Sequence, residues 1–211
     1  MKFYENEVSS AASRVRIALA LKGLKVERQL INIFGADAES RQPGYRQVNP
    51  QGLVPALVTD NGVLLTQSLA IVEYLDELQP EPPFLPKDLK ARAFSRAVAL
   101  AIAVEIHALL PPRIGLRLST IPGMDANGMA EWNRHWIREG MTAVETLIAG
   151  RRTGPFVAGD RPSIGDIFLF PQSIGTERSG FDLGQWPNIA EIVANLRAIP
   201  AFAENAPQPR K

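Results

Sequence analysis

The period of the hydrophobic positions changes along the chain, and the change divides it in two. Lys2-Phe3-Tyr4 reads as a short strand. Residues 8–23, VSSAASRVRIALALKG, then bring apolar side chains back at Ala11, Val15, Ala18 and Leu19, the spacing of one buried face of an amphipathic helix. Ala18-Leu19-Ala20-Leu21 are strong helix formers, and Lys22-Gly23 supplies the stop. VERQLINI at 26–33 mostly alternates apolar and polar positions with β-branched residues, which predicts a second strand and completes a βαβ unit. In VPALVTDNGVLLTQS at 54–68 two apolar runs flank Asp60-Asn61-Gly62, a strong hairpin signal. Ser68 then precedes LAIVEYLDEL, a helix with Leu69, Val72 and Leu75 on one face and Ser68 as its expected N-cap. The predicted sheet therefore mixes parallel and antiparallel pairs.

The pattern breaks at QPEPPFLP, residues 79–86, where four prolines in eight residues exclude both helix and central strand. We read this stretch as a linker between a first domain, 1–80, and a second, 87–211. Beyond it the periodicity is helical. Residues 88–110 are rich in Ala and Leu, and Trp132, Trp136, Met141, Val144, Leu147 and Ile148 recur at helical spacing. Tryptophans in such a stripe are expected to pack in a core rather than to form a ligand platform. Ser163-Ile164-Gly165-Asp166 has the form of a capping box ahead of IFLFPQSIG, which places a buried helix start there. Pro187 to Ile199 reads as one more helix, and the tail APQPRK is expected to be loose.

Composition narrows the chemistry. Of 211 residues 45% are apolar and 21% charged, and the net charge of +1 includes no basic block, so the chain is globular, with neither nucleic acid nor an anionic membrane as a partner. AVALAIAV at 97–104 is too short to span a bilayer and the N-terminus lacks a signal pattern, so a cytoplasmic protein is expected. The absence of cysteine excludes disulfides, thiolate metal sites and a cysteine nucleophile. Any thiol chemistry must use a thiol brought in by a ligand. His107 and His135 are the only histidines and neither lies in a metal-ligating arrangement, so no metal is expected. There is also no Gly-x-Ser-x-Gly elbow, dinucleotide fingerprint or P-loop.

What remains is a set of helix-start hydroxyls and one placed proline. Ser9 or Ser10 is a natural N-cap for the first helix, and a hydroxyl at the positive end of a helix is also a place to hold an anion such as a thiolate. Pro55 stands at the entry to a strand, where it cannot donate a ladder bond. A cis bond at Val54-Pro55 would turn the Val54 N–H and C=O outward to pair with an extended peptide. Together with Gln67-Ser68 at another helix start, these elements suit one extended, anionic, thiol-bearing peptide, a description that fits glutathione.

SSAASRVRIALALKG, NPQGLVPALV, QSLAIVEYLDE and GDRPSIGDIFLFPQ stand in the order and spacing seen in the glutathione transferases, and the chain most resembles the zeta class, which includes maleylacetoacetate and maleylpyruvate isomerases. The resemblance runs from Lys2 to about Ala203. It implies an α/β thioredoxin-like N-terminal domain, an all-α C-terminal domain, a homodimer, and an active site in the cleft between domains, with glutathione as cofactor. It also implies that Ser9 and Ser10 are the catalytic pair, one of them donating to the glutathione sulfur, with Ala11 beside them. Val54 would pair with the cysteinyl backbone, Gln67 and Ser68 would hold the γ-glutamyl end, and His107 would add a further contact. Arg14, Arg113 and Arg178 are the candidates for the carboxylates of a maleyl keto acid substrate. The chain departs from the class pattern at Ala11, where cysteine is common, at Val8, where the isomerases carry arginine, and at Leu110-Pro111-Pro112 after the histidine. Three readings stay open: an isomerase of a maleyl keto acid, a transferase conjugating or dehalogenating another small electrophile, and a non-catalytic binding protein of the same fold.

Overall fold

The computed structural model describes residues 1–210, which form two compact units: Met1–Phe84 with the chain from Ala201 onward, and Leu85–Pro200. In the first, strand β1 (Lys2–Glu5) leads to helix α1 (Ser10–Lys22) and strand β2 (Glu27–Leu30). A 3₁₀ turn at Glu39–Arg41 and a short helix α2 (Pro43–Val48) follow, then strands β3 (Ala56–Val58) and β4 (Leu64–Thr66), and helix α3 (Ser68–Leu78). The sheet order is β2-β1-β3-β4, with β1 parallel to β2 and antiparallel to β3, and β3 antiparallel to β4. This is the expected thioredoxin-like mixture of pairings. Phe3 and Leu57 from the sheet, Val15, Ile17 and Ala18 from α1, and Ile71, Val72 and Leu75 from α3 are all fully buried.

Helix α1 ends as its sequence predicts: Gly23 takes φ 64°, and the N–H of Leu24 reaches back to the Leu19 carbonyl at 2.9 Å. The expectation of a single buried face is corrected. Ser13, Arg14, Arg16 and Lys22 are buried along with the apolar positions, and β1, α3, the proline-rich stretch and the C-terminal tail supply their partners. The tail, expected to be loose, is tied down: Ser13 Oγ donates to the Asn205 carbonyl at 2.6 Å, Gln208 N–H donates to the Glu7 carbonyl at 2.8 Å, and Pro207 is buried. The proline-rich stretch is likewise anchored, since Lys22 Nζ donates to both Asp76 Oδ1 and the Pro82 carbonyl at 2.6 Å.

The second unit is helical: α4 (Leu89–Leu100), α5 (Pro112–Leu118), α6 (Ala126–Ala149), α7 (Ile164–Arg178) and α8 (Pro187–Arg197), with a last short helix α9 (Pro200–Ala203) where the chain returns to the first unit. The long helix expected over 88–110 is interrupted by a π-helical turn at Ala101–Ile106 and a 3₁₀ turn at His107–Leu109, and α5 restarts at Pro112. Gly140 of α6 allows this: a Cβ there would lie 2.2 Å from Ile106 Cγ1, so only glycine lets the helix approach the widened turn. By length and composition Leu89–Leu118 could cross a membrane, contrary to the expectation from its shorter apolar run. However, Phe94, Val98, Ile102 and Ile106 are buried inside the helical unit. Trp132 and Trp136 are half-buried, while Ile137, Met141, Val144 and Ile148 of the same helix form the core.

The capping box opens α7 as predicted. Ser163 N–H and Oγ–H both donate to Asp166 Oδ2, at 2.8 and 2.7 Å, and Val157 N–H donates to Oδ1 at 2.9 Å. Ser95 Oγ of α4 joins the network, donating to Ser163 Oγ and accepting from Gly165 N–H, each at 2.9 Å. Burial nevertheless raises the Asp166 pKa from 3.8 to about 6, against the three bonds that favour the carboxylate. Between those values the folded state binds the proton and the unfolded state does not, so this group's contribution to stability falls as pH rises from 3.8 to about 6 and is constant above. Urea denaturation across that range will show the slope in the wild-type protein and lose it in Asp166→Ala, which will also be less stable at pH 7 by about 2–4 kcal/mol.

Candidate functional site

Register fixes where the first unit gathers its functional groups. Tyr4 stands opposite Ala56, and Ala56 opposite Thr66. The segment after β1, the segment before β3 and the segment after β4 therefore emerge at the same end of the strands. They carry Ser9-Ser10, Val54 and Gln67-Ser68.

Ser9 is the N-cap of α1, with φ −69° and ψ 119°, and its Oγ accepts from Ala12 N–H at 3.2 Å. This bond uses one lone pair and leaves the O–H proton to donate elsewhere, so capping and donation to an incoming anion are compatible. Ser10 is the first helical residue; both serines are half-buried, and Ala11 behind them is buried. The first turn holds no acidic side chain to offset its positive end.

The Val54-Pro55 bond is cis. Val54 is half-buried, and among the described residues neither its N–H nor its C=O enters a hydrogen bond within the chain. The carbonyl just before it is held firmly, because Leu53 O accepts from Tyr45 Oη at 2.8 Å and from Asn49 Nδ2 at 2.7 Å. Burial pushes the Tyr45 phenol pKa up, keeping it the protonated donor this bond requires. Gly52 has φ 64°, and a Cβ there would meet the Ser40 carbonyl at 2.8 Å. No sequence signal singled out Tyr45 or Asn49, since a tyrosine in a short helix and an asparagine before proline suit any loop.

At the start of α3 the roles shift by one residue from the sequence expectation. Gln67 is the N-cap, without a side-chain cap bond, and Ser68 is the first helical residue. Gln67 has φ 67° and ψ 120°, the only positive φ at a non-glycine among the described residues, and its exposed Nε2 donates to Gln51 Oε1 at 3.0 Å. A side-chain-bearing residue held there is strained, as is common where a loop serves a ligand. The first turn of α3 again contains no acid.

Arg14 does not present itself to a substrate, as the sequence suggested. It is 1% exposed, and its Nη1 donates to Ser68 Oγ at 3.1 Å, so it lies beneath the start of α3. Desolvation lowers its pKa to about 9, which leaves it a cation at neutral pH. The remaining candidates belong to the second unit. His107 is half-buried and follows the π-helical turn, where Trp132 Nε1 fixes the nearby Leu109 carbonyl at 3.0 Å. Arg113, in the first turn of α5, and Arg178, the last residue of α7, are exposed. Val8 is half-buried in the turn before Ser9, its N–H on Asn6 Oδ1 at 3.1 Å.

Residues 8–78 match the glutathione S-transferase N-terminal domain, and residues 130–195 the glutathione S-transferase C-terminal domain. The chain is 42% identical over 207 residues to the maleylacetoacetate isomerase of Pseudomonas aeruginosa, covering 98% of this chain and 96% of the relative. It is similar to a solved holo maleylpyruvate isomerase, a bacterial zeta-class glutathione transferase, with a TM-score of 0.93 at 34% identity and full coverage of both chains. The crystal structure of maleylacetoacetate isomerase from Methylobacterium extorquens AM1 with bound malonate and glutathione also gives a TM-score of 0.93, at 37% identity, covering 99% of this chain and 98% of that one.

The strain at Gln67 can be measured. Gln67→Gly removes the left-handed penalty and loses only an exposed amide bond, so urea denaturation will find it more stable than the wild type by about 1 kcal/mol.

Proposed function

Because the chain belongs to the zeta class of the glutathione S-transferase family, we propose that it is a glutathione-dependent cis-trans isomerase of a maleyl keto acid such as maleylacetoacetate. The observation that carries this reading is Ser9, a capping hydroxyl that keeps its proton to donate, at a helix start without an acidic neighbour. The donor set fits glutathione. Ser9 suits the sulfur, the Val54 backbone groups suit the cysteinyl peptide unit, and the α3 start, with Ser68, Gln67 and buried Arg14 behind it, suits the γ-glutamyl carboxylate. His107 is the second unit's candidate for a further glutathione contact.

Glutathione, when bound, would supply the thiolate for reversible addition to the conjugated cis alkene, whose bond is single and free to rotate while the addition lasts. The chain's part is electrostatic. Ser9, helped by the N–H groups of the first turn of α1, favours the ionised sulfur and so lowers the thiol pKa. Ser10 lies one residue further on and assists the same charge. We assign Arg113 and Arg178 to the substrate's carboxylates and to the enolate-like charge that develops at its carbonyl. Malonate in the structure of the Methylobacterium extorquens relative supports a dicarboxylate as the substrate class.

A second reading, conjugation or dehalogenation of another small electrophile, is favoured by two features. Val8 places an apolar side chain where the isomerase pattern has an arginine, and Pro111-Pro112 replaces side-chain amides with the restart of a helix. Isomerisation of maleylacetone with and without glutathione separates the two. Glutathione-dependent turnover is expected; none, alongside conjugation of a test electrophile, establishes the second reading.

Replacing Ser9 by Ala will lower turnover about 100-fold, the usual scale for losing one donor to a developing anion. Ultraviolet thiolate absorbance will then show the pKa of the bound thiol moved back toward its solution value. Ser10→Ala is expected to cost about tenfold or less. A wild-type protein that leaves the thiol pKa at its solution value overturns both catalytic readings.

A further inference from the structure

We propose that Arg16 and the C-terminal segment 205–208 form a positioning clamp for Ser9, setting the turn from which its hydroxyl is presented. Its catalytic meaning rests on the reading of Ser9 given above. Asn6-Glu7-Val8 is the entire connection between β1 and the cap of α1, so a shift of this turn moves the Ser9 donor and weakens its bond to the sulfur. The turn has bonds of its own: Ser9 N–H to the Asn6 carbonyl at 3.0 Å, Val8 N–H to Asn6 Oδ1 at 3.1 Å, and Asn6 Nδ2 to the Ile31 carbonyl at 2.9 Å.

Two further elements grip it from outside. Arg16, 7% exposed and two turns along α1 from Ser9, pairs through Nη1 with the fully buried Glu5 and also reaches the Asn6 carbonyl at 3.4 Å. Its Nη2 donates to the Glu7 carbonyl at 3.2 Å and approaches the carbonyls of Asn205 and Ala206 at 3.4 and 3.5 Å. One planar guanidinium thus spans the end of β1, the turn and the tail. An ammonium, which lacks the fork, could not reproduce that set of contacts. The tail closes the clamp from the other side: Ser13 Oγ holds the Asn205 carbonyl, and Gln208 N–H adds a second donor to the Glu7 carbonyl at 2.8 Å. The Glu7 carbonyl, two residues from Ser9, is therefore fixed by both α1 and the tail.

Arg16 and Gln208 touch neither sulfur nor substrate in this scheme; they act through the turn. The sparing test is Gln208→Pro. It deletes the Gln208 N–H, together with the bond from Nε2 to the Ala206 carbonyl at 3.3 Å, at an exposed residue already flanked by Pro207 and Pro209, and it leaves Arg16 and both serines in place. Arg16→Lys is the stronger variant, and should it fail to fold, Gln208→Pro still decides. In the ligand-free protein, amide hydrogen exchange of the 6–10 segment should quicken about fivefold in Gln208→Pro while the helical unit is unchanged, the scale of one lost hydrogen bond. With glutathione, the bound thiol pKa should rise and kcat should fall about threefold, while KM for glutathione holds because Val54, Gln67 and Ser68 are untouched. Exchange in the 6–10 segment identical to wild type overturns the clamp, whatever glutathione does. Faster exchange with an unchanged thiol pKa and kcat overturns its catalytic meaning. A wild-type protein that does not lower the thiol pKa contradicts the proposed function instead, and leaves the exchange result to judge the clamp.

Discussion

Arg14, Arg16 and Lys22 are all buried on one helix, and burying three cations without giving each hydrogen-bond acceptors would cost several kcal/mol apiece. Each is met by a different piece of chain. Arg14 finds Ser68 and so fastens α1 to the start of α3. Arg16 finds Glu5 and the carbonyls of the β1–α1 turn and the tail. Lys22 finds Asp76 and the Pro82 carbonyl, drawing the proline-rich stretch against the helix end, where its ammonium also lies 4.0 Å from the centre of the Phe84 ring. The apolar contacts of Val15, Ile17 and Ala18 give the unit its core, but these three cations decide which segments must be adjacent.

That requirement also places the candidate site residues. The arginines bracket the two helix starts at which they gather, one beneath Gln67-Ser68 and one beneath the turn into Ser9. A helix start is useful to an anion because its first N–H groups lack intrahelical partners. Ser9 satisfies one such group with a lone pair and keeps its proton, so capping the helix and donating to an anion do not compete. At Gln67 the backbone accepts strain instead, and the bonds from Arg14 to Ser68 and from Gln67 to Gln51 lie on either side of that residue.

The helical unit is organised by polar contacts of a different kind. Ser95, Ser163 and Asp166 form a buried network that starts α7 and joins it to α4. Gly140 removes a side chain so that Ile106, the last residue of the π-helical turn before His107, can pack against α6. Pro111 and Pro112 then restart the helix, so the segment from Ala101 to Pro112 is held in a shape that a continuous helix would not give.

Much of this was legible in one sequence because it depends on neighbours along the chain. The Lys22-Gly23 stop, the Asp60-Asn61-Gly62 hairpin, the capping box at Ser163 and the proline-rich break all follow from backbone constraints acting over a few residues, and the spacing of the glutathione transferase motifs carried the fold class. Sequence alone left undecided everything that depends on a distant partner. It gave Arg14 and Arg16 the same appearance as solvated helix arginines, since nothing local shows that Ser68 or the Asn205 carbonyl waits for them. It left the tail loose, because APQPRK has no periodic signal, whereas residues 205–208 are held by Ser13, Arg16 and Glu7. Tyr45 and Asn49 went unseen because the carbonyl they fix, Leu53, lies up to eight residues along the chain. Local sequence sets the conformations that a segment prefers, whereas only tertiary packing removes water from a charged group and so decides what that group must bind.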